Sequence, residues 1–254
     1  MTAGRDATVA RASNDAGRVK LARQPVDSGA MARLVASKWI ASLLTAGSIS
    51  LVCAAVATAD DEKIQFTKAG QAAARATILK RADLGTSQGW AGSTTKPRLS
   101  SKPPCANFDP KQSDLTLIGA AESIWKNSGL QFDSESQVLK TPTMVRLDWQ
   151  RTVLAPQVEP CLRSALAKQL GSNAHLVSFG RLGFPRVATY TRAYRTLVDV
   201  KNGSTTVRVL FDVVLVGKGR TEITLTTSAP YAAESVVSPA EVRLARLLAS
   251  RART

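Results

Sequence analysis

Hydrolysis by an activated nucleophile needs a base beside it, and this chain offers a single histidine, His175, in the segment Ser172-Asn173-Ala174-His175. No G-x-S-x-G elbow, S-x-x-K pair or glycine-rich phosphate loop accompanies it, so His175 reads as a surface or boundary residue rather than a catalytic base. Paired carboxylates are the other route, because glycosidic cleavage works with two acids several ångströms apart in a cleft. The pairs to test are Asp148 with Glu159 and Asp212 with Glu222. Both sit among arginines, which hold carboxyls ionised and provide poorly for a general acid. No residue is therefore assigned a catalytic role, no cofactor is implied, and the expected class is not an enzyme.

The cysteines carry structural chemistry. Of the three, Cys53 falls in an apolar run after Ser50-Leu51-Val52, where a lipoprotein signal would place a small residue, and it reads as part of that run. Cys105 and Cys161 remain, an even pair that outside the cytosol predicts one disulfide. It would close a loop of more than fifty residues and add about 3–4 kcal/mol on the chain-entropy account. Two free buried thiols are the alternative. A zinc site would need further ligands than His175, so no metal is expected.

The compartment follows from residues 31–59. Met31, Arg33 and Lys38 precede an uncharged stretch from Trp39 to Val56, and Ala57-Thr58-Ala59 then leads into Asp60-Asp61-Glu62. That is the order of a secretory signal, with cleavage between Ala59 and Asp60. A retained membrane anchor is the alternative, since the run is long enough to span a hydrocarbon core. Residues 1–30 hold few large apolar side chains and read as a disordered or untranslated extension, with Met31 the better initiator. Residues 60–254 are then a single exported domain.

Lys and Arg number 34 against 19 Asp and Glu, and the excess persists beyond residue 59. Outside a cell the acidic partners on offer are envelope polymers and anionic lipid headgroups. No aromatic-and-basic RNA-binding signature appears, and no nucleic acid partner is expected. Arg195, Arg208 and Arg220 are the candidate ligand-binding residues, for an anionic or polyhydroxylated envelope ligand. The alternative is an ion-paired, solvated sheet face worth little energetically.

The elements that would position these groups are legible in part. Thr67 to Ala82 approximates an amphipathic helix, and Trp90 pins the Gly/Ser/Pro-rich loop that follows. Leu115–Trp125 and Leu130–Leu139 read as strands around Asn127-Ser128-Gly129, with Ala120 to Lys126 open to a helical reading. Thr141-Pro142 starts one of two consecutive helices, Pro142–Val153 and Pro156–Leu170. From Leu176 to Pro230 a three-strand meander is expected, turning at Asn202-Gly203 and at Gly217-Lys218-Gly219. With two- and three-residue loops, Tyr194 faces Phe211, Val198 faces Val207, Phe211 faces Leu225 and Val213 faces Ile223. Arg195, Asp199, Arg208, Asp212, Arg220 and Glu222 then share the opposite, solvated face. A capping box at Ser238-Pro239-Ala240-Glu241 opens a terminal helix with an apolar stripe at Leu244, Leu247 and Leu248 and arginines at 243, 246, 251 and 253. An anionic membrane or polymer could dock on those arginines; a solvated face near the helix C-terminus is the alternative. Tyr190, Tyr194, Phe211, Val213, Ile223, Leu225, Leu244 and Leu248 should share one core.

Ala82-Asp83-Leu84 with Gly89-Trp90, Cys105 ahead of Asp114-Leu115-Thr116, Glu159-Pro160-Cys161-Leu162 and Ala193-Tyr194-Arg195 carry a resemblance. With the signal, they resemble uncharacterised exported, disulfide-bonded proteins of actinobacteria. The arrangement is also similar to extracytoplasmic sensor domains of actinobacterial Ser/Thr kinases and to PsbP-like envelope lipoproteins. It covers most of residues 65–253 and implies a curved antiparallel sheet with helices packed on it and a ligand-binding cleft. This chain departs in having one cysteine pair, no kinase domain and no well-placed lipoprotein cysteine. The expected fold is α+β, a mainly antiparallel sheet of about five strands with helices on one face. The expected function is an exported non-catalytic binding or sensor-like domain, with a secreted hydrolase or a structural cell-envelope protein as alternatives.

Overall fold

Two-residue turns set the register of the sheet. The computed structural model describes residues 62–85, 89–97, 99, 105 and 108–253. Its elements begin with β1 (Lys63–Ile64), α1 (Lys68–Ala76), a 3-10 turn (Arg81–Leu84), β2 (Ala91–Thr95), β3 (Thr116–Asn127) and β4 (Leu130–Leu139). Next come α2 (Pro142–Asp148), a π turn (Trp149–Val153), α3 (Val158–Gln169) and β5 (Ala174–Arg181). The chain then runs through β6 (Tyr190–Asn202), β7 (Thr205–Lys218), β8 (Thr221–Pro230), a second 3-10 turn (Tyr231–Ala233) and α4 (Glu234–Arg251). The extension at 1–30, the signal at 31–59 and the Ala59–Asp60 junction lie outside the described residues.

The strands form one eight-stranded sheet in the order β1-β3-β4-β8-β7-β6-β5, with β2 also paired to β3. Every pairing is antiparallel except β1 on β3. The α+β class with a mainly antiparallel sheet is therefore the observed one, with more strands than expected. β3 is strand throughout, and Thr141 caps α2 by accepting from Met144 N at 3.3 Å.

The three central hairpins close on Asn127↔Leu130, Asn202↔Thr205 and Lys218↔Thr221. Each loop holds two residues and has positive φ at its first position: Ser128 at +45°, Gly203 at +60° and Gly219 at +57°. Such turns match the right-handed twist of the flanking strands. The β6–β7 turn thus sits one residue later than Asn202-Gly203 suggests, pairing Tyr194 with Val213 and Val198 with Val209. A shift of two in pairing leaves every side chain on its expected face. The β7–β8 turn is one residue shorter than expected, which pairs Val214 with Leu225 and Val216 with Ile223. That odd shift moves Ile223 and Leu225 away from Phe211 and Val213 and onto the face that carries Arg195 and Asp212.

Helices pack on both faces. The front face takes α4 and the chain around Leu79: Phe132, Ala193, Val214, Val216, Ile223, Leu225, Leu244 and Leu248 form one core. Helix α1 extends this layer over Ile118, Ala121 and Val138. Its approach is close enough that a Cβ on Gly119 would lie 2.1 Å from the Gly70 carbonyl oxygen. α1 ends at Ala76, short of Ala82, because the next residues bond the sheet. Thr77 and Ser136 hydroxyls meet at 2.5 Å, Leu79 N donates to Ser134 Oγ at 2.7 Å, and Ser123 Oγ donates to Leu79 O at 2.9 Å. Trp90 packs at a tilt against Phe132, centroids 5.7 Å apart, as the pin expected of it.

The back face takes α2 and the π turn over Leu117, Ala120, Leu139 and Leu215, with Tyr190 in that cluster. Tyr194 packs against Phe179 at 5.8 Å. Covering one face only was the expectation; the back face needs α2 because its strands also carry apolar side chains. The proposed common core thus divides, with Tyr190, Tyr194, Phe211 and Val213 behind the sheet and the other four in front.

Candidate functional site

Register places the ionisable groups. Arg195 and Asp212 are direct cross-strand partners on the front face, under α4 rather than in solvent. Arg195 Nε donates to Asp212 Oδ1 at 2.8 Å and Nη2 to Oδ2 at 2.6 Å, while Nη1 bonds the Glu234 carboxylate and Nη2 reaches Ser238 Oγ at 3.3 Å. The side chains are 15% and 0% exposed. Treating this lattice as a solvated face was therefore incorrect for Arg195 and Asp212. Arg208 fits it: it bonds Asp199 at 2.7 and 2.9 Å on an exposed part of the β6–β7 hairpin. Arg220 lies exposed in the β7–β8 turn. The three candidate arginines are not brought together.

Glu241 completes the front cluster. Helix α4 begins at Glu234, continuous with the preceding 3-10 turn, so Pro239 stands inside the helix and Ser238-Pro239-Ala240-Glu241 is not a cap. Glu241 instead points at the sheet and is fully buried. Neither of its oxygens has a donor in ordinary hydrogen-bond geometry. Burial, followed by the negative charge of Asp212, pushes its carboxyl up to about 8, against weaker opposing pulls from the Thr227 hydroxyl and Arg195. It stays protonated through neutral pH, which spares the core an unpaired charge.

A second acid pair lies on the back face. Asp148 ends α2 and Glu222 opens β8, next to Gly217 on β7. Asp148 accepts from Gln112 Nε2 at 3.5 Å and from Thr152 Oγ1 at 3.3 Å. Burial raises its proton affinity, partly offset by the hydrogen bonds from Glu222, Gln112 and Thr152. Glu222 is raised further, by burial first and then by the charges of Asp148 and Glu62, and its Oε1 is inaccessible to solvent. Of the two carboxyls, Glu222 has its proton affinity pushed up the more strongly, by burial and by the charge of Asp148. Trp149 stacks on Tyr190 at 5.2 Å, its indole nitrogen so near the strand that a Cβ on Gly217 would lie 2.7 Å away.

The sequence pairing of acids is thus redistributed: Asp148 goes with Glu222 and Asp212 with Glu241, while Glu159 bonds Arg181. Burial raises Asp148 more than Arg151 lowers it, and the charges beside Glu222 are acidic, opposite to expectation. Glu241 was the residue sequence reasoning missed, although it stands three and seven positions before Leu244 and Leu248 on the same helical stripe. His175 is exposed on edge strand β5, opposite Asp199. Cys105 and Cys161 form the disulfide, Cα atoms 5.6 Å apart, fastening α3 to the segment before β3.

The exposed cations gather elsewhere. Lys63 pairs with Thr116, whose carbonyl accepts from Lys140 N at 2.9 Å; Leu139 N donates to Arg220 O at 2.8 Å; and Lys218 Nζ reaches Ala249 O near the end of α4 at 3.1 Å. These links put Lys63, Lys140, Arg220 and Arg253 at one end of the sheet, all four exposed. Among the described residues none of the four has a carboxylate partner. Of nearby acids, Asp83 is bonded by Arg251, Glu222 faces Asp148 on the back of the sheet, and Glu62 lies beside Lys63. Arg251 of α4 turns onto the Asp83 carboxylate and Arg243 bonds the Asp83 carbonyl oxygen while remaining exposed, so that Arg243, Arg246 and Arg253 are the exposed members of the arginine stripe.

No family model and no curated protein matches the chain. Among solved structures it is similar to the X-ray structure of an uncharacterised protein from Mycobacterium smegmatis. The two share 12% identity over 68% of this chain and 96% of that one, with a TM-score of 0.34, and nothing about function follows from it. Among the described residues no helix is long and apolar enough to cross a membrane. The disulfide is compatible with an extracytoplasmic location.

Proposed function

We propose that the protein is an exported, non-catalytic binding or sensor-like domain that takes an anionic group of the cell envelope. One observation carries the reading. Arg195 is consumed by carboxylates inside the fold, whereas Lys63, Lys140, Arg220 and Arg253 stand exposed, without acidic partners among the described residues, at one end of a disulfide-fastened sheet. Cations held on strand and helix ends, with no partner to displace, can meet an anion without first breaking an ion pair. Arg220 is the candidate ligand residue that belongs to this set.

The test is native mass spectrometry of the protein isolated from the envelope of its own host, compared with an Arg220→Gln, Lys140→Gln variant. Retention of an anionic molecule by the natural protein and its loss in the variant is the expected result. Absence of any retained anion, with the fold intact by circular dichroism, would refute the reading.

A hydrolase is the second reading, and the Asp148–Glu222 pair is what favours it: a carboxyl kept protonated beside another is the equipment of a general acid. Glu222→Gln separates the two readings. A binding domain retains its anion in that variant, whereas a hydrolase loses turnover of envelope polysaccharide.

A further inference from the structure

The chain enters the domain at the basic end. Glu62 and Lys63 lead directly into β1, beside Thr116 and Lys140. Upstream, the uncharged run Trp39–Val56 stops only five residues before Glu62. Eighteen residues as helix would extend about 27 Å, close to the roughly 30 Å of a bilayer's hydrocarbon core. Five connecting residues span at most about 18 Å. If the run stays in the bilayer, the basic end is held within about two Debye lengths of the lipid headgroups at physiological salt.

We propose that this end is the membrane-proximal surface of an anchored protein, and that Lys63, Lys140, Arg220 and Arg253 dock it on anionic lipid headgroups around its own retained anchor. The proposal rests on the reading of an exported anion-binding domain and names the anion as a lipid headgroup. Two features favour this occupant over a soluble one. The cations lie along the ends of β1, β4 and β8 and of α4, an array suited to a surface rather than a cleft. The tether also keeps the lipid at high effective concentration, so weak contacts suffice. Asp60, Asp61 and Glu62 oppose the attraction, so the cations must outweigh them. Each cation at an anionic surface shifts the docked-to-free ratio about fivefold. Neutralising three should shift it about a hundredfold.

The full chain, reconstituted into vesicles of phosphatidylcholine alone or of phosphatidylcholine with a third phosphatidylglycerol, tests this by amide hydrogen exchange. In the anionic vesicles, exchange at the β7–β8 turn and at the end of α4 should slow. It should return to the phosphatidylcholine level in about 1 M salt, where the Debye length falls to roughly 3 Å, and in the Lys140→Gln, Arg220→Gln, Arg253→Gln variant. The β3–β4 turn at the other end should exchange alike in every sample. Equal exchange of the basic end in the two vesicle types, with the chain still resistant to carbonate extraction, overturns the docking and leaves the anion-binding domain standing. A host-isolated protein that begins at Asp60 and washes free of membranes overturns the anchor, again without touching the binding reading. Failure of the native protein to retain any anion, with docking intact in vesicles, overturns the binding reading alone.

Discussion

Glu241→Gln should make this protein more stable, and by an amount that depends on pH. Glu241 is fully buried beside Asp212, and its carboxyl is shifted from 4.5 to about 8. A carboxyl whose proton affinity rises on folding contributes its full share of stability below its unfolded value, and that share is lost as pH climbs through the folded value. At about 1.4 kcal/mol for each pH unit, the loss between those limits is on the order of 4–5 kcal/mol. Glutamine has the same shape, still offers a donor toward Asp212, and does not titrate. The variant should therefore match the natural protein within about 1 kcal/mol near pH 4.5, a scale typical of isosteric change, and exceed it by several kcal/mol above pH 8. Urea unfolding from pH 4.5 to 9, with unchanged dependence on denaturant, measures the difference. Stability curves that run parallel across this range would refute the buried, protonated assignment.

Arg195→Ala should cost about 3–5 kcal/mol, because it leaves Asp212 buried without its cation, whereas Arg208→Ala at the exposed Asp199 pair should cost under about 1 kcal/mol; equal losses in chemical denaturation would contradict the two burials. Gly119→Ala should destabilise by about 1–3 kcal/mol, since its methyl meets the Gly70 carbonyl at 2.1 Å, and an unchanged melting temperature would show that α1 does not approach β3 so closely. Reduction of the bridge between Cys105 and Cys161, 56 residues apart, should lower the stability by about 3–4 kcal/mol, read as a shift of the unfolding midpoint with and without reductant.

The strands and helices were legible because their signals are local. Leu130–Leu139 matches β4 residue for residue, Thr141-Pro142 begins α2, and the count of cysteines beyond the apolar run pointed to the observed bridge. The faces were not legible, because alternation along a strand says which residues share a side and leaves open which side meets a helix. Asp212 alternates with Leu210 and Val214, so the pattern itself put a carboxylate among apolar neighbours. Reading Arg195 with Asp212 as a solvated pair set that alternation aside.

The decisive unit was one residue of loop. A three-residue turn at Gly217-Lys218-Gly219 aligns Phe211 with Leu225 and makes one apolar and one charged side, a pattern that looks self-consistent. The observed two-residue turn, with Gly219 at positive φ, pairs Val214 with Leu225 and so draws Asp212 and Arg195 under α4. The same shift puts Glu222 on the back face with Asp148. One residue of loop thereby decides that Glu222 meets Asp148 and that Asp212 lies beneath the helix that carries Glu241. Asp148, Glu222 and Glu241 are therefore poor guides to the ligand, because burial in the fold is the first cause that raises each. Exposed cations at the strand ends escape this dependence, because a residue at a turn stays at that end of the sheet whichever face its neighbours take. For that reason the basic end, with the chain's entry point beside it, carries the functional argument better than any group inside the fold.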